Sequence, residues 1–269
     1  MIQKTSERVV PGEVHSEEEY LMYLRHVIAY EFALTKLSSE DNLLEVGCGE
    51  GYGTKMISSN VKKIVGLDVD SDLIVYATEK YSSENCIYQY YDGKKIPFDN
   101  NTFDAAISFQ VIEHIEDDRN YVSEVNRVLK PSGIFILTTP NRLTRLKDGQ
   151  KPYNKFHIRE YSPQQLEHLL TIGFNKVMVL GIQARKEIRE REFRRIAKIQ
   201  RKISLDPLNI RALIPEEVKN MIGQMLSKKD DKAKEVDFHK YSTEDYFIVK
   251  ENIEDCLDLL CICEFASTN

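Results

Sequence analysis

The sequence predicts an α/β protein built on a doubly wound, mostly parallel sheet of seven strands. Short apolar segments rich in β-forming residues alternate with stretches of helical periodicity along the first half of the chain. Strands that alternate with helices pair in parallel, and the helices then cover both faces of the sheet. The first five strands are predicted at Asn42–Val46, Lys63–Val69, Cys86–Tyr91, Phe103–Phe109 and Gly133–Thr139, the helices between them at Thr54–Ser59, Ser71–Tyr81 and Arg119–Leu129, and a sharp turn at Lys130–Gly133.

The segments that flank these strands extend the fold at both ends. Residues 16–37 have apolar side chains at helical spacing, and Ser162-Pro163 is typical of the start of a helix. A sixth strand is predicted at Lys176–Ile182; Asp245–Val249 and Leu257–Phe265 are strand-like, and the latter is expected to close the sheet. We therefore divide the chain into a helical cap, a ligand-binding core, a charged helical insertion before the last strand, and closing strands, at residues 1–40, 41–183, 184–240 and 241–269.

Composition places the chain among ordinary globular proteins. Its 269 residues are 42% hydrophobic and 30% charged, with a net charge of −6. No apolar run approaches the roughly 20 residues that span a bilayer, and the N-terminus has no apolar signal core, so we expect a cytoplasmic protein. The acidic balance argues against a nucleic-acid partner. The five cysteines form no CxxC pair and lack histidines at metal-binding spacing, so we expect reduced thiols and no metal.

A glycine-rich loop follows the first predicted strand. Residues 47–53 have the sequence Gly-Cys-Gly-Glu-Gly-Tyr-Gly, directly after the apolar run Leu43–Val46. Glycine has no Cβ, so a backbone of this kind lets a ligand approach closely. The dinucleotide fingerprint needs glycine at its first, third and sixth positions, and the sixth position here is Tyr52. The loop therefore favours an adenosine-containing ligand other than a nicotinamide or flavin cofactor.

Polar residues follow the next three predicted strands, at the sheet edge where ligands bind in parallel α/β proteins. Asp68 lies nineteen residues after Gly49, and its carboxylate can accept hydrogen bonds from both hydroxyls of a ribose. Asp92 is placed to accept a hydrogen bond from an adenine amino group. The segment Gln110–His114 follows the fourth strand and is expected to face the same crevice.

With these motifs in this order, the chain resembles the class I S-adenosylmethionine-dependent methyltransferases from about Asn42 to Ile182. Glu45 and the glycines after it are similar to the first motif of that family, and Leu129–Gly133 is similar to the turn before its fifth strand. The resemblance implies a Rossmann-like fold, S-adenosylmethionine as cofactor and S-adenosylhomocysteine as product. It also implies cofactor contacts from Glu45, Gly47, Gly49, Gly51, Asp68, Val69, Asp92, Gly93 and Gln110.

Three further segments resemble a branch that methylates small molecules and sugars. They are Phe103–His114, Glu7–Gly12 and Asn154–Tyr161, and the last two are similar to methyltransferases of bacterial polysaccharide and glycan synthesis. The expected acceptor is therefore a hydroxyl of a sugar or glycan precursor. A quinone-type or other small aromatic acceptor stays open, as do a non-catalytic cofactor-binding module of the same fold and a nicotinamide dehydrogenase.

A hydroxyl acceptor benefits from a general base, which accelerates such a transfer by about 10²–10⁴-fold. The candidates are His157, His114 and Glu113. His157 is preferred because it lies in the polar loop after the fifth strand, where the resemblance places the acceptor. Glu113 is equally suited to orienting the methionine end of the cofactor.

The stretch Arg185–Lys202 is strongly basic. Nine basic and three acidic residues give it a net charge of +6, while the whole chain has −6. Its isoleucines and Phe193 form an apolar stripe at helical spacing. We interpret it as a charged surface helix that packs on the core or on another subunit; weak contact with an anionic membrane surface and binding of a phosphorylated acceptor are the alternatives. The oligomeric state stays open.

Overall fold

The computed structural model describes residue 14, residues 16–205 and residues 240–265, and these ranges form one sheet of eight strands with helices on both sides. The strands are β1 (Asn42–Val46), β2 (Lys63–Asp68), β3 (Cys86–Tyr90), β4 (Phe103–Phe109), β5 (Leu129–Pro140), β6 (Lys176–Ala184), β7 (Tyr246–Val249) and β8 (Asp258–Glu264). The helices are α1 (Glu17–Leu34), α2 (Tyr52–Ser58), α3 (Ser71–Tyr81), α4 (Asp118–Val128), α5 (Arg142–Arg145), α6 (Pro163–Leu170) and α7 (Lys186–Ser204).

The strand order creates a crevice at one edge of the sheet. The order is β3-β2-β1-β4-β5-β8-β6-β7, in which β1 to β5 pair in parallel. β8 pairs antiparallel with both β5 and β6, and β7 pairs antiparallel with β6. The order reverses at β1, which lies between β2 and β4, so a ligand-binding crevice opens beyond the carboxyl end of β1. The glycine loop begins at this point, because Gly47 follows β1 directly.

Apolar side chains cover both faces of the sheet, which confirms the doubly wound, Rossmann-like arrangement. One cluster joins the strands to α1, α2, α3 and α7 through side chains such as Tyr30 and Ile188. The other joins them to α4 and α6 through side chains such as Val125 and Leu166. β1 and β4 are buried along nearly their whole length, which explains why most of their residues are apolar. All five cysteines are free and lie in this core.

The predicted count of seven strands is wrong, because both late strand-like segments join the sheet. β8 lies between β5 and β6, where it closes the sheet as expected. β7 adds an edge strand beyond β6, with Val249 opposite Gly181 and Tyr246 opposite Ala184. β6 extends two residues further than predicted, to Ala184, and this extension supplies part of the backbone with which β7 pairs.

The turn predicted at Lys130–Gly133 is instead an irregularity within β5. Leu129 already pairs with Phe103, and regular pairing resumes only at Ile134, opposite Ala105. The intervening residues of β5 outnumber those of β4, so they bulge out of the ladder. The strand therefore begins directly after α4, without a separate turn.

α7 occupies the start of the predicted charged insertion. Ile188 and Ile196 are buried, so the apolar stripe of this helix packs on the core. Residues 206–239 and the Glu7–Gly12 motif lie outside the described residues. The division of the chain into four regions therefore stays a prediction. Within the described ranges, no helix combines the length and the apolar character that a membrane crossing requires.

Candidate active site

The glycine loop after β1 forms one wall of a cavity at the carboxyl end of the sheet. The backbone N–H groups of Gly47 and Cys48 donate to the carbonyl of Leu67, at 2.7 and 2.9 Å, and fasten the loop to β2. Gly49 has φ +53°, and a Cβ there would meet no atom within 4 Å, so its surface is open to a ligand. A Cβ at Gly47 would lie 2.3 Å from Cγ2 of Val111, so that glycine is required by packing within the protein.

Asp68, at the end of β2, is held by two backbone donors. Its Oδ2 accepts from the N–H of Gly49 at 2.8 Å, and its Oδ1 accepts from the N–H of Asp70 at 3.0 Å. Each carboxylate oxygen can accept more than one hydrogen bond, so both oxygens can also accept from ribose hydroxyls. Val69 follows with its side chain 56% exposed and lines the same cavity.

Asp92 and Gly93 form the next part of the rim, after β3. Oδ1 of Asp92 accepts from the N–H groups of Lys94 and Lys95, at 2.9 and 3.2 Å. These hydrogen bonds lower the pKa of Asp92 and keep its carboxylate ionised. Asp92 therefore stabilises the turn with one oxygen while it lines the cavity.

Gln110 follows β4 in an unfavourable backbone conformation. Its φ of +58° lies in the left-handed region, which residues other than glycine seldom adopt. Its N–H donates to the carbonyl of Thr138 at 2.9 Å and so holds the residue against β5. Strain of this kind costs about 1–3 kcal/mol and concentrates at functional sites. Gln110 lines the cavity, in agreement with that tendency.

Glu45 lies beneath the glycine loop, outside the cavity lining. Its buried carboxylate accepts from the hydroxyl of Tyr30 at 2.6 Å and from the hydroxyl of Thr54 at 2.5 Å. Burial raises the pKa of Glu45 to about 7, against the lowering effect of these two hydrogen bonds. Because the two donors belong to α1 and α2, Glu45 joins both helices to β1 and sets the position of the loop.

The cavity has a volume of about 820 Å³, which suits a small molecule. Its charged lining is strongly acidic, because five carboxylates face one lysine: Glu50, Asp68, Asp92, Glu116 and Asp117 against Lys94. Such a lining attracts a cation and repels the diphosphate of a dinucleotide. The charge therefore favours a positively charged adenosine derivative.

The cavity brings together most of the predicted site residues. Those in its lining are Gly47, Gly49, Asp68, Val69, Asp92, Gly93, Gln110 and His114. Those outside the lining are Glu45, Gly51, Glu113 and His157. The sequence prediction missed further lining residues, among them His26, Tyr30, Tyr52, Tyr91, Asn120 and Phe156. His26 and Tyr30 are four residues apart on α1, and this helical spacing was the signal that could have found them.

Two histidines adjoin each other at the edge of the cavity. The rings of His114 and His157 meet edge to face, with their centroids 4.9 Å apart. Nδ1 of the buried His157 lies 2.8 Å from Oε1 of Glu160, whose other oxygen accepts from Nε of Arg145 at 3.1 Å. The ring of His157 is thus fixed by the buried ion pair of Arg145 and Glu160.

His114 is the member of this pair that lines the cavity. Its Nδ1 lies 2.9 Å from the carbonyl oxygen of Phe156, so in the neutral ring Nδ1 carries the proton and donates it to that oxygen. Nε2 is then the nitrogen that can accept a proton. The preference for His157 over His114 thus receives no support from the lining of the cavity, although His157 packs against the ring that lines it.

Glu113 lies in the short 3₁₀ helix before His114 and is buried. Its Oε2 accepts from the hydroxyl of Thr139 at 2.9 Å. One ligating atom from each of Glu113, His114 and His157 lies within 4.8 Å of the others, so these three side chains could hold a metal ion, for which the sequence gives no spacing signal. His157 lies more than forty positions after the adjacent Glu113 and His114, which explains why spacing rules missed the cluster.

Comparison with known proteins identifies the family. Residues 44–137 match the family described as methyltransferase domain. A probable S-adenosylmethionine-dependent methyltransferase of Mycolicibacterium smegmatis is 36% identical over 179 residues, which cover 66% of this chain and 67% of that protein. One of Mycobacterium tuberculosis is 30% identical over 191 residues, which cover 71% of this chain and 68% of that protein. The crystal structure of YcgJ from Bacillus subtilis shares the fold, with a TM-score of 0.54 at 17% identity over 90% of this chain and 100% of that one.

The chain belongs to the S-adenosylmethionine-dependent methyltransferases, and S-adenosylmethionine is its cofactor. This confirms the enzyme class and the cofactor predicted from the motifs. The residues present fit the cofactor, because the acidic lining suits its sulfonium charge and Gly49 leaves the loop open.

Proposed function

We propose that this methyltransferase transfers the methyl group to a hydroxyl of a sugar or glycan precursor. The observation that carries the proposal is the position of His114, which lines the cofactor cavity with Nδ1 held by the carbonyl of Phe156. A hydroxyl is a weak nucleophile until its proton is removed, so a fixed imidazole beside the cofactor suits this acceptor. The similarity of Asn154–Tyr161 to glycan methyltransferases favours a sugar over an aromatic hydroxyl.

When bound, S-adenosylmethionine supplies a methyl group activated by a positively charged sulfur. His114 would accept the proton of the acceptor hydroxyl at Nε2 as the hydroxyl oxygen takes the methyl group. The imidazolium that results continues to donate from Nδ1 to Phe156, and its charge is near the carboxylates of the cavity. Proton removal contributes about 10²–10⁴-fold, and alignment of the two reactants contributes roughly 7–11 kcal/mol.

The proposal assigns roles to four further predicted residues. With the cofactor bound, Asp68 would accept from the ribose hydroxyls and Asp92 from the adenine amino group. Gly49 would let the backbone approach the cofactor, and Gln110 would contact it from the end of β4. His157 and Glu160 are positioning residues, because they hold the ring of His114 from behind.

Transfer of a labelled methyl group tests the proposed acceptor. The protein is incubated with methyl-labelled S-adenosylmethionine and, in separate reactions, with oligosaccharides, simple phenols and quinone precursors. We expect label on a sugar oxygen. Label on a phenol instead would establish the aromatic alternative, and label only on protein or nucleic acid would contradict both.

Variants separate the proposed base from the cofactor site. We expect His114→Ala to lower kcat by about 10²–10⁴-fold and to leave the affinity for S-adenosylmethionine within a few-fold. Asp68→Asn should weaken cofactor binding instead. His168→Ala is the matched control, because this histidine is exposed on α6, away from the cavity. An unchanged kcat in His114→Ala would refute its role as the base.

A further inference from the structure

A second cavity of about 810 Å³ lies between α1, α7 and the chain around Tyr153. It shares no lining residue with the cofactor cavity. Two of its walls are helices more than 150 positions apart in the chain, with Arg25 from α1 and Arg195 from α7 facing the same space. The cavity therefore forms only when these helices pack together, and the sequence motifs did not predict it.

The charge of this cavity is opposite to that of the cofactor cavity. Its lining contains seven cationic side chains and four carboxylates: Arg25, Arg145, Lys155, Arg191, Arg194, Arg195 and Lys198 against Glu17, Glu18, Glu19 and Glu192. A chain with a net charge of −6 has thus gathered positive charge in one concave site. Concave sites of one sign concentrate ligands of the opposite sign.

Some of these charged side chains form ion pairs within the cavity walls or between them. Nε of Arg195 donates to Glu192 at 2.8 Å, Arg191 donates to Glu17 at 2.6 Å, and Nε of Arg25 lies 3.0 Å from Asp258. Burial raises the pKa of Glu192, but the hydrogen bond from Arg195 and the charges around it outweigh burial and lower the pKa to about 2. The pair of Arg191 and Glu17 joins α7 to α1, the pair of Arg25 and Asp258 joins α1 to β8, and Arg195 and Glu192 pair within α7.

Other donors in the lining have no such partner. Lys155, Arg194 and Lys198 form no ion pair with any residue in the described ranges. The hydroxyl of Tyr153 is buried and has no hydrogen-bond partner among those residues. A buried hydroxyl without a partner is unfavourable, which points to a ligand that supplies the acceptor.

We infer that this second cavity binds a phosphate or diphosphate group of the methyl acceptor. Three cations without carboxylate partners and one hydroxyl donor match the acceptor oxygens of a phosphate, whereas a neutral sugar would leave the cations unused. The inference rests on the proposed function, since it assigns the anionic group to the saccharide acceptor of the same enzyme.

A chain of contacts joins the second cavity to the histidine pair. The guanidinium carbon of Arg145 lies 4.9 Å from the centre of the Tyr153 ring. Nε of Arg145 donates to Glu160, which in turn lies 2.8 Å from Nδ1 of His157. Arg145 thus lines the second cavity and also belongs to the ion pair that holds His157 against the proposed base.

Calorimetric titration with inorganic pyrophosphate tests the site without any methyl transfer. We expect the full chain to bind pyrophosphate, and the double variant Arg194→Gln/Lys198→Gln to bind it at least tenfold more weakly. The matched control is Arg201→Gln/Lys202→Gln, which removes the same charge from the same helix outside the cavity lining. It should change the affinity less than twofold. Equal losses in both double variants would show a diffuse charge effect and overturn the proposal.

Tyr153→Phe gives a second readout that a purely structural role would not produce. The variant removes a buried hydroxyl without a partner, so we expect a higher Tm in the absence of ligand. The same change should weaken pyrophosphate binding roughly tenfold, because a hydrogen bond to an anion is lost. A higher Tm with unchanged pyrophosphate affinity would refute the role of the hydroxyl.

Two further comparisons separate this inference from the proposed function. A sugar phosphate should have a KM at least tenfold below that of the same sugar without phosphate; equal KM values would refute the inference and leave sugar methylation intact. Failure to label any sugar, with pyrophosphate still bound, would refute the proposed acceptor alone. Binding to anionic lipid vesicles without binding to pyrophosphate would overturn the proposal and assign the charge of α7 to a membrane surface.

Discussion

The buried carboxylate of Glu45 gives a quantitative test of how the glycine loop is held. Burial raises the pKa of Glu45 from 4.5 to about 7. The neutral form is therefore favoured in the folded protein, and its stabilising contribution is present below pH 4.5 and lost as the pH rises to about 7. At 1.36 kcal/mol for each pKa unit, the loss amounts to about 3 kcal/mol.

Glu45→Gln replaces this group with a neutral side chain of nearly the same shape. We expect the free energy of unfolding of the variant, relative to the natural protein, to rise by about 3 kcal/mol between pH 5 and pH 8. Urea unfolding at several pH values measures this difference, and titrations common to both proteins cancel. Glu79→Gln, an exposed position on α3, is the control and should give a constant difference. If the difference in free energy of unfolding for Glu45→Gln were constant, or fell with pH, the assignment of a buried carboxyl group with a raised pKa would be refuted.

Three other predictions follow from the same site. Gly47→Ala should destabilise the fold by more than about 2 kcal/mol, because φ is +82° and Cγ2 of Val111 would lie 2.3 Å from the added Cβ. Gly49→Ala should cost only about 1–2 kcal/mol of stability and mainly weaken cofactor binding. Chemical denaturation measures the stability losses and calorimetry the binding; equal stability losses would contradict the difference in packing. Tyr30→Phe should lower stability by about 1.5–3 kcal/mol at pH 8 and by less at pH 5, because it removes a hydrogen-bond donor to ionised Glu45. Urea denaturation at both pH values measures the two losses, and a larger loss at pH 5 would contradict the prediction. Because His114 acts as a proton acceptor in the proposed reaction, extensive treatment with a chelator should leave methyl transfer unchanged; loss of activity restored by one divalent cation would instead assign a metal to Glu113, His114 and His157.

The parts of the fold that depend on local sequence were predicted well. β1 and β4 have the predicted bounds, because each is a short, mostly apolar segment that ends at glycine or polar residues. The start of α6 was also predicted, since the side chain of Ser162 caps the helix and Pro163 occupies its first turn. These signals act over a few residues and need no knowledge of the tertiary fold.

The rest depends on contacts between distant segments. The segment Asp245–Val249 was predicted to be strand-like, but the pairing of Tyr246–Val249 with the edge of β6 is a tertiary contact that no local pattern reveals. Glu45 matched a cofactor motif, yet its oxygens accept from Tyr30 and Thr54. His157 was found as a polar loop residue, but its burial against Glu160 depends on how that loop folds back. Sequence spacing thus identified the chemistry of these residues and not their neighbours.

The two cavities have opposite charge in a protein of modest net charge, and this distribution suits two substrates of opposite charge. The acidic cavity suits the sulfonium of the cofactor, and a phosphate placed there would be repelled by five carboxylates. The basic cavity lies on the far side of the contacts from His157 to Arg145, where an anionic acceptor would be attracted. Under the proposed function, opposite charges in separate sites would direct each substrate to its own position, with the acceptor hydroxyl at His114. Separation of charge, more than the shape of either cavity, would then decide which molecules this enzyme methylates.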